Sequence, residues 1–90
     1  MNICVVSTFE GEVEEYMSMI AEFDEQIRSA VSDVDIGVVK TDKPGISKVI
    51  AMINVVHEEL FDEIMSSPKM LEWDKAHNNT DIIYSLERIN

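Results

Sequence analysis

Residues 49–73, VIAMINVVHEELFDEIMSSPKMLEW, contain the change of periodicity that decides the fold. The apolar and β-branched run at its start predicts a strand over residues 47–56. From His57 or Glu58 the apolar residues recur three and four positions apart, which is the spacing of an amphipathic helix. The segment therefore predicts a strand that leads directly into a helix.

The helical pattern of this segment is interrupted at residues 66–68. Ser67 followed by Pro68 is a typical pair for the N-cap and first turn of a helix. A new helical segment is therefore predicted from Pro68 to about His77. Three apolar residues are expected to turn inward from it: Met70, Leu71 and Trp73.

The rest of the chain supplies the remaining elements. A strand is predicted over residues 2–9, and an amphipathic helix from Glu12 to Val31 with acidic residues on its exposed face. A second strand over 34–41 is followed by the turn cluster Asp42–Gly45, which predicts a hairpin. The last residues, 80–89, are predicted to form the closing strand.

The resulting order is β-α-β-β-α-β, the split arrangement of ferredoxin-like α+β domains. Such domains have a sheet of four antiparallel strands with two helices on one face. No linker, repeat or low-complexity stretch divides the chain, so residues 1–90 are predicted to form a single domain.

The charge balance argues against two classes of partner. Eighteen acidic residues against seven Lys and Arg give a formal charge of −11, which repels nucleic acid and anionic membranes. The single cysteine, Cys4, fits a reducing compartment. The first residues lack the basic region of a secretory signal, and no apolar run is long enough for a membrane span. We expect a cytoplasmic protein that binds neither nucleic acid nor membrane.

The predicted sheet is apolar on both faces. One side chain in two should be polar where a sheet faces water, yet residues of the first, third and fourth strands are apolar on either side, Met52 among them. A large exposed apolar face is a liability for a soluble monomer. A second chain or a large ligand should therefore cover it, and we expect a homodimer in which two copies pair through this face.

The pattern as a whole resembles the dimeric α+β barrel superfamily, which includes the antibiotic-biosynthesis monooxygenases and related uncharacterised small proteins. The resemblance rests on residues 49–73, with the break at Ser67 and Pro68 and with Trp73 after it, and it extends over nearly the whole chain. It implies a ferredoxin-like fold and dimerisation. The superfamily contains both enzymes and proteins without known activity, so the resemblance implies no particular reaction.

Trp73 and His77 lie four residues apart and therefore on one helical face. Such a pair at the mouth of the barrel resembles the haem-degrading monooxygenases. That branch has a longer spacing, however, and an asparagine inside its first strand, whereas Asn2 stands at the start of this chain. The alternative is that Trp73 anchors the helix to the sheet and His77 is a solvated residue favourable to the helix dipole.

His57 is the second candidate catalytic residue. It opens the sequence HEELF, which fails the zinc motif HExxH because Phe61 stands in place of the second histidine. Its ordinary pKa suits a general base, and the alternative is a residue at the rim of the fold. Asp74 and His77 are too few to hold a metal, so none is predicted.

The leading functional hypothesis is binding of a small apolar molecule between the sheet and the helices. Its candidate ligand contacts are Trp73, Tyr84 and Met52, and no cofactor is expected. The first alternative is a monooxygenase of the antibiotic-biosynthesis or haem-degrading type, with His57, Trp73 and His77 as candidate polar groups. The second is a protein-interaction module without catalysis that uses the acidic first helix.

Overall fold

The computed structural model describes residues 1–89. Its strands are β1 (Ile3–Glu10), β2 (Val31–Val39), β3 (Ile46–Val55) and β4 (Thr80–Ser85). Its helices are α1 (Val13–Glu22), α2 (Asp24–Ala30), α3 (Glu58–Met65) and α4 (Pro68–Ala76). The predicted β-α-β-β-α-β order is confirmed, with two helices in each helical region. None of these helices, within residues 1–89, has the length and apolar character needed to cross a membrane.

The strands form one antiparallel sheet in the order β2-β3-β1-β4. β1 lies in the interior of the sheet and pairs along its whole length with β3, from Ile3 opposite Ile53 to Glu10 opposite Ile46. Because β1 also pairs with β4, the two ends of the chain lie side by side. The ferredoxin-like α+β fold predicted from the sequence is confirmed.

The core lies between the helices and one face of the sheet. Alternate residues of β1 and β3 are buried, and Phe9 and Val49 are among the most completely enclosed side chains, at 1% and 0% exposure. The helix α1 covers them with Tyr16 and Met19, and Phe23 joins them from the junction between α1 and α2. Burial of side chains of this size stabilises a fold by roughly 1.5–3 kcal/mol each.

The prediction of one helix from Glu12 to Val31 was wrong in two respects. The helix is divided at Phe23, whose backbone N–H donates to the carbonyl of Ile20 rather than one residue further back. The apolar spacing continues through this tightened turn, which is why periodicity did not reveal it. α2 ends at Ala30 because β2 begins at once at Val31, three residues before the predicted strand.

The break between α3 and α4 follows the prediction. The Ser67 hydroxyl accepts a hydrogen bond from the backbone N–H of Met70 at 3.3 Å, as expected of an N-cap before Pro68. Met70 is buried, but Leu71 is 54% exposed, so its predicted inward position was wrong. The buried stripe runs through Met70 and Trp73, and successive residues on a helix are rotated by about 100°, which turns Leu71 away.

β4 is shorter than predicted because its pairing partner ends. Ser85 lies opposite Ile3, the first residue of β1, and the last backbone bond in this direction joins Leu86 N–H to the Asn2 carbonyl at 2.8 Å. The strand therefore stops at Ser85 and not at residue 89.

The centre of the sheet's outer face is apolar, as predicted, and the helices within residues 1–89 lie on the opposite face. This centre consists of side chains that alternate with the buried ones: Cys4 and Val6 of β1, Ile50 and Met52 of β3, and Ile82 and Tyr84 of β4. Polar residues such as Thr8 and Lys48 continue this face toward one end of the strands. Ile82 and Tyr84 are 50% and 51% exposed, respectively. We name these six residues the outer apolar face.

An aromatic cluster fastens α4 to the rest of the fold. The Trp73 ring meets the rings of Phe9 and Tyr16 edge-on, at centroid distances of 5.2 and 6.1 Å. Phe9 and Tyr16 are themselves stacked at 5.6 Å. Such geometries contribute about 0.5–1.5 kcal/mol per pair beyond simple burial, so Trp73 stabilises the contact between helix and sheet.

We predict that Trp73→Ala lowers the free energy of unfolding by about 3 kcal/mol, because it removes a large part of this cluster. The measurement is chemical denaturation followed by circular dichroism. Leu71→Ala, on the same helix but exposed, is the control and should cost less than about 1 kcal/mol. Equal effects of the two substitutions would contradict the packing role.

Candidate functional site

A cavity of about 80 Å³ lies between the sheet and the helices. All four helices contribute to its lining, together with the inner face of the sheet. Most of the lining is aliphatic, including Val5, Ala51 and Ile53 from the sheet and Ile27 and Ile64 from the helices. Since one water molecule requires roughly 10–15 Å³, the cavity has room for a small organic molecule.

One part of the lining is polar. Its members come from β1, α1, the end of α4 and the start of β4, and we name them the polar wall: Ser7, Tyr16, Asp74, Asn79 and Asp81. Ser7 occupies a core position of β1 and is only 2% exposed. Buried polar groups need hydrogen-bond partners inside the fold, and the side chains of the polar wall form hydrogen bonds with one another.

The strand register sets the first contact of the polar wall. Ser7 in β1 lies directly opposite Asp81 in β4. The Ser7 hydroxyl donates to the Asp81 carboxylate at 2.6 Å, a short distance typical of a charge-assisted hydrogen bond. The buried hydroxyl thereby fixes the orientation of the carboxylate beside the cavity.

Asn79 connects the helix to the strand. Its side-chain N–H groups donate to the carboxylates of Asp74 and Asp81, both at 2.9 Å. Its backbone N–H donates to the Asp74 carbonyl at 2.8 Å, and the preceding Asn78 takes a positive φ of 52° that reverses the chain after α4. The side-chain oxygen of Asn79 is buried and has no hydrogen-bond partner.

The polar wall disfavours negative charge. The pKa of Asp74 is raised above its ordinary value of 3.8, chiefly by burial. The hydrogen bond from Asn79 lowers this pKa, and the nearby charge of Asp81 raises it. Burial likewise raises the pKa of Tyr16 above 10.0, opposed by a hydrogen bond with Ser7 and reinforced by both carboxylates. A phenol and a carboxyl group are therefore held in a partly desolvated site.

Trp73 and His77 do not line the cavity. The indole and imidazole rings stack on each other, with a centroid distance of 4.0 Å and an interplanar angle of 17°. His77 is not solvated as the structural alternative expected, since its side chain is only 20% exposed and its Nε2 lies 3.6 Å from a Glu15 oxygen. Its Nδ1 lies 3.0 Å from the Trp73 carbonyl oxygen. The pair closes one end of the aromatic cluster.

The other predicted site residues lie apart from the cavity, and His57 also lies apart from Met52 and Tyr84. His57 is exposed, and its Nδ1 accepts a hydrogen bond from the backbone N–H of Leu60 at 3.2 Å, which makes it the N-cap of α3. Met52 and Tyr84 belong to the outer apolar face, where both lie opposite Cys4 on β1. The structure therefore does not bring His57, Tyr84 and Met52 together with Trp73.

Sequence reasoning missed the polar wall as a unit. Its clearest signal was Ser7, a polar residue between two apolar ones on the buried side of a strand. Asp74 had been considered only with His77 for a metal, and these two side chains face different surroundings. Among residues 1–89 no group of three or more metal-binding side chains occurs.

The comparisons with known proteins rest on structure. No family model and no curated protein matches the chain. The fold is similar to that of HapK from Hahella chejuensis, with TM-score 0.58, 11% identity and 99% of this chain and 93% of that chain covered. It is also similar to SnoaB, a cofactor-independent oxygenase from Streptomyces nogalater, with TM-score 0.56, 14% identity and coverage of 98% and 95%.

A third similar structure is NE2512, a protein of unknown function from Nitrosomonas europaea, with TM-score 0.54, 10% identity and coverage of 99% and 92%. The ferredoxin-like fold that the sequence resemblance implies is thus confirmed over nearly the full length. The fold is shared by an oxygenase and by a protein of unknown function, so it does not by itself assign a reaction.

We predict that Asp74→Asn stabilises the protein at pH 7 relative to the wild type. Because the folded state raises the pKa of Asp74, it binds the proton more tightly than the unfolded state, and wild-type stability falls as pH rises from 3.8 through the folded pKa. The amide oxygen still accepts from Asn79. Thermal unfolding midpoints should differ more at pH 7 than at pH 3.

The control for this prediction is Asp42→Asn, in the exposed turn between β2 and β3. This substitution should change the midpoint little at either pH. A variant at Asp74 that is less stable than the wild type at pH 7 would show that its carboxylate is favourably held, contrary to the direction of the shift.

Proposed function

We propose that the protein binds a small, largely apolar molecule in the cavity between sheet and helices, and that it does so as a homodimer. The observation that carries the proposal is an apolar cavity with a single polar wall. Binding sites for small molecules commonly combine an apolar lining with a few polar groups that fix orientation.

The composition of the cavity lining supports a binding role over mere imperfect packing. β3 presents Ala51, a single methyl group, to a space of about 80 Å³. A larger aliphatic side chain that filled this space would raise the free energy of unfolding by about 2 kcal/mol through better packing. The Asp74 carboxylate is also unfavourable for folding at neutral pH, since burial raises its pKa above the ordinary value. Features that lower stability are characteristic of functional sites.

The outer apolar face supports the homodimer. Its six side chains form a continuous patch across three adjacent strands, with Ile82 and Tyr84 half exposed. A second copy could cover the patch by a two-fold arrangement in which the same residues face each other. Met52 and Tyr84 then serve the interface and not the cavity.

We also propose that the chain acts as a single domain in the cytoplasm. Buried residues of both helical regions and of the strands β1, β2 and β3 join in one hydrophobic cluster, which supports a single domain. The only cysteine, Cys4, is a free thiol, as expected in a reducing compartment. No feature around His57, Trp73 or His77 favours a monooxygenase over binding.

The cavity is tested by titration calorimetry with 2-methyl-1-propanol, a neutral molecule with a branched apolar body and one polar group that matches a cavity of about 80 Å³. We expect a dissociation constant in the millimolar range or tighter, and about tenfold weaker binding to Ala51→Leu, which fills the cavity. Met52→Leu, the neighbouring residue on the opposite face, is the matched control. Wild-type protein that produces no binding heat would refute the proposal.

The homodimer is tested by sedimentation at micromolar concentration. The wild type should sediment at about twice the chain mass of 10.2 kDa. Met52→Asp should dissociate or unfold it, because an unpaired carboxylate in an apolar interface is costly. Leu71→Asp, at an exposed position on α4, should leave the mass unchanged. A monomeric wild type would eliminate the sheet-to-sheet arrangement.

A further inference from the structure

The hydrogen-bond donors of the polar wall are used within the protein. The Ser7 hydroxyl donates to Asp81, and the two N–H groups of the Asn79 side chain donate to Asp74 and Asp81. An amide nitrogen has only two hydrogens to donate and a serine hydroxyl has one. Neither Ser7 nor Asn79 therefore has a side-chain donor left for a ligand. The remaining hydroxyl of the wall, that of Tyr16, is hydrogen-bonded with Ser7.

Hydrogen-bond acceptors, in contrast, are in excess. Each carboxylate offers about four acceptor positions on two oxygens, and only one oxygen of Asp74 and one of Asp81 receive the contacts above. The side-chain oxygen of Asn79 is also without a partner. The wall can therefore accept hydrogen bonds from a ligand far better than it can donate them.

The charge at this end of the cavity is also uncompensated. Asp74 and Asp81 both line the cavity, and none of the lining residues is Lys, Arg or His. Two cations of the helices are paired elsewhere, Arg28 with Asp24 at 3.1 Å and Lys69 with Glu22 at 3.0 Å. Outside the polar wall the cavity lining is aliphatic and aromatic, so a complementary molecule has a positive group at one end of an apolar body.

We propose that the cavity binds a small hydrophobic amine, with its protonated amino group against Asp74 and Asp81. This inference rests on the proposed function, since it names the class of ligand for the same cavity. An ammonium group has three donors and no acceptor, which matches a wall that has spare acceptors. Charge-assisted hydrogen bonds to carboxylates are about twice as strong as neutral ones.

Two further properties of the protein support an amine as the ligand of the cavity. Burial and the neighbouring Asp81 raise the pKa of Asp74, and a cation beside it would reverse that shift, so binding should release protons where Asp74 is partly protonated. The formal charge of −11 attracts cations and repels anions over the whole surface. A ligand with a carboxylate in place of the amine would meet two like charges.

The test compares three probes of similar size by titration calorimetry at low salt: 2-methylpropylamine, 2-methyl-1-propanol and 2-methylpropanoate. We expect the amine to bind about tenfold more tightly than the alcohol. 2-Methylpropanoate should produce no measurable binding. The alcohol reports whether the cavity accepts the branched apolar body at all, independently of charge.

Two conservative variants locate the charge preference. Asp81→Asn and Asp74→Asn keep an oxygen that can accept from Asn79 while removing one negative charge each. Each should reduce the ratio of amine to alcohol affinity severalfold, and the alcohol titration in the same variant shows whether the cavity is intact. Asp62→Asn, an exposed residue on α3 outside the cavity lining, is the matched control and should keep the wild-type ratio.

The outcomes separate this inference from the proposed function. Equal binding of amine and alcohol, or tighter binding of 2-methylpropanoate, overturns the amine specificity and leaves the apolar cavity as a binding site. An amine preference that survives both Asp81→Asn and Asp74→Asn also overturns it, because the preference would then arise elsewhere on the acidic surface. Failure of all three probes to bind overturns both proposals.

Discussion

The pairing of β1 on both of its edges is the constraint on which the rest of this structure depends. Every residue of β1 has a partner on β3, and most have one on β4 as well. Because side chains alternate along a strand, this pairing divides β1 into two sets. Val5, Ser7 and Phe9 face the helices, whereas Cys4 and Val6 face outward. The core, the cavity and the outer apolar face all follow from that division.

Two neighbouring inward-facing residues of β1, Phe9 and Ser7, have different roles. Phe9 joins Tyr16 and Trp73 in a close-packed aromatic cluster that fixes α4. Ser7, two residues earlier, places a hydroxyl in the interior and orients Asp81 beside the cavity. Tyr16 takes part in both, since its ring packs on Phe9 while its hydroxyl belongs to the polar wall. Rigid packing thus lies directly next to the polar groups that it positions.

Local patterns predicted the kinds of element well because they depend on neighbouring residues. The Ser67–Pro68 start of α4 and the hairpin before β3 are examples, since each is determined by the backbone chemistry of a few residues. The predictions that were wrong concern element boundaries, which contacts between residues far apart in the sequence determine. β4 ends at Ser85 because β1 has no further residue to pair with, and Phe23 interrupts the first helix although its apolar spacing continues.

The sequence by itself determined the order of strands and helices and the apolar character of both sheet faces, because periodicity is written in residues close together along the chain. Only the tertiary structure decided where the candidate site lies. The contact between Ser7 and Asp81 joins residues 74 positions apart, and it exists because the first and last strands pair in one particular register. The same register places Met52 and Tyr84 on the outer face. The packing of α4 on Phe9 holds Trp73 and His77 in an aromatic stack outside the cavity. No short-range pattern carries that information, since register and helix packing are fixed by the whole core at once.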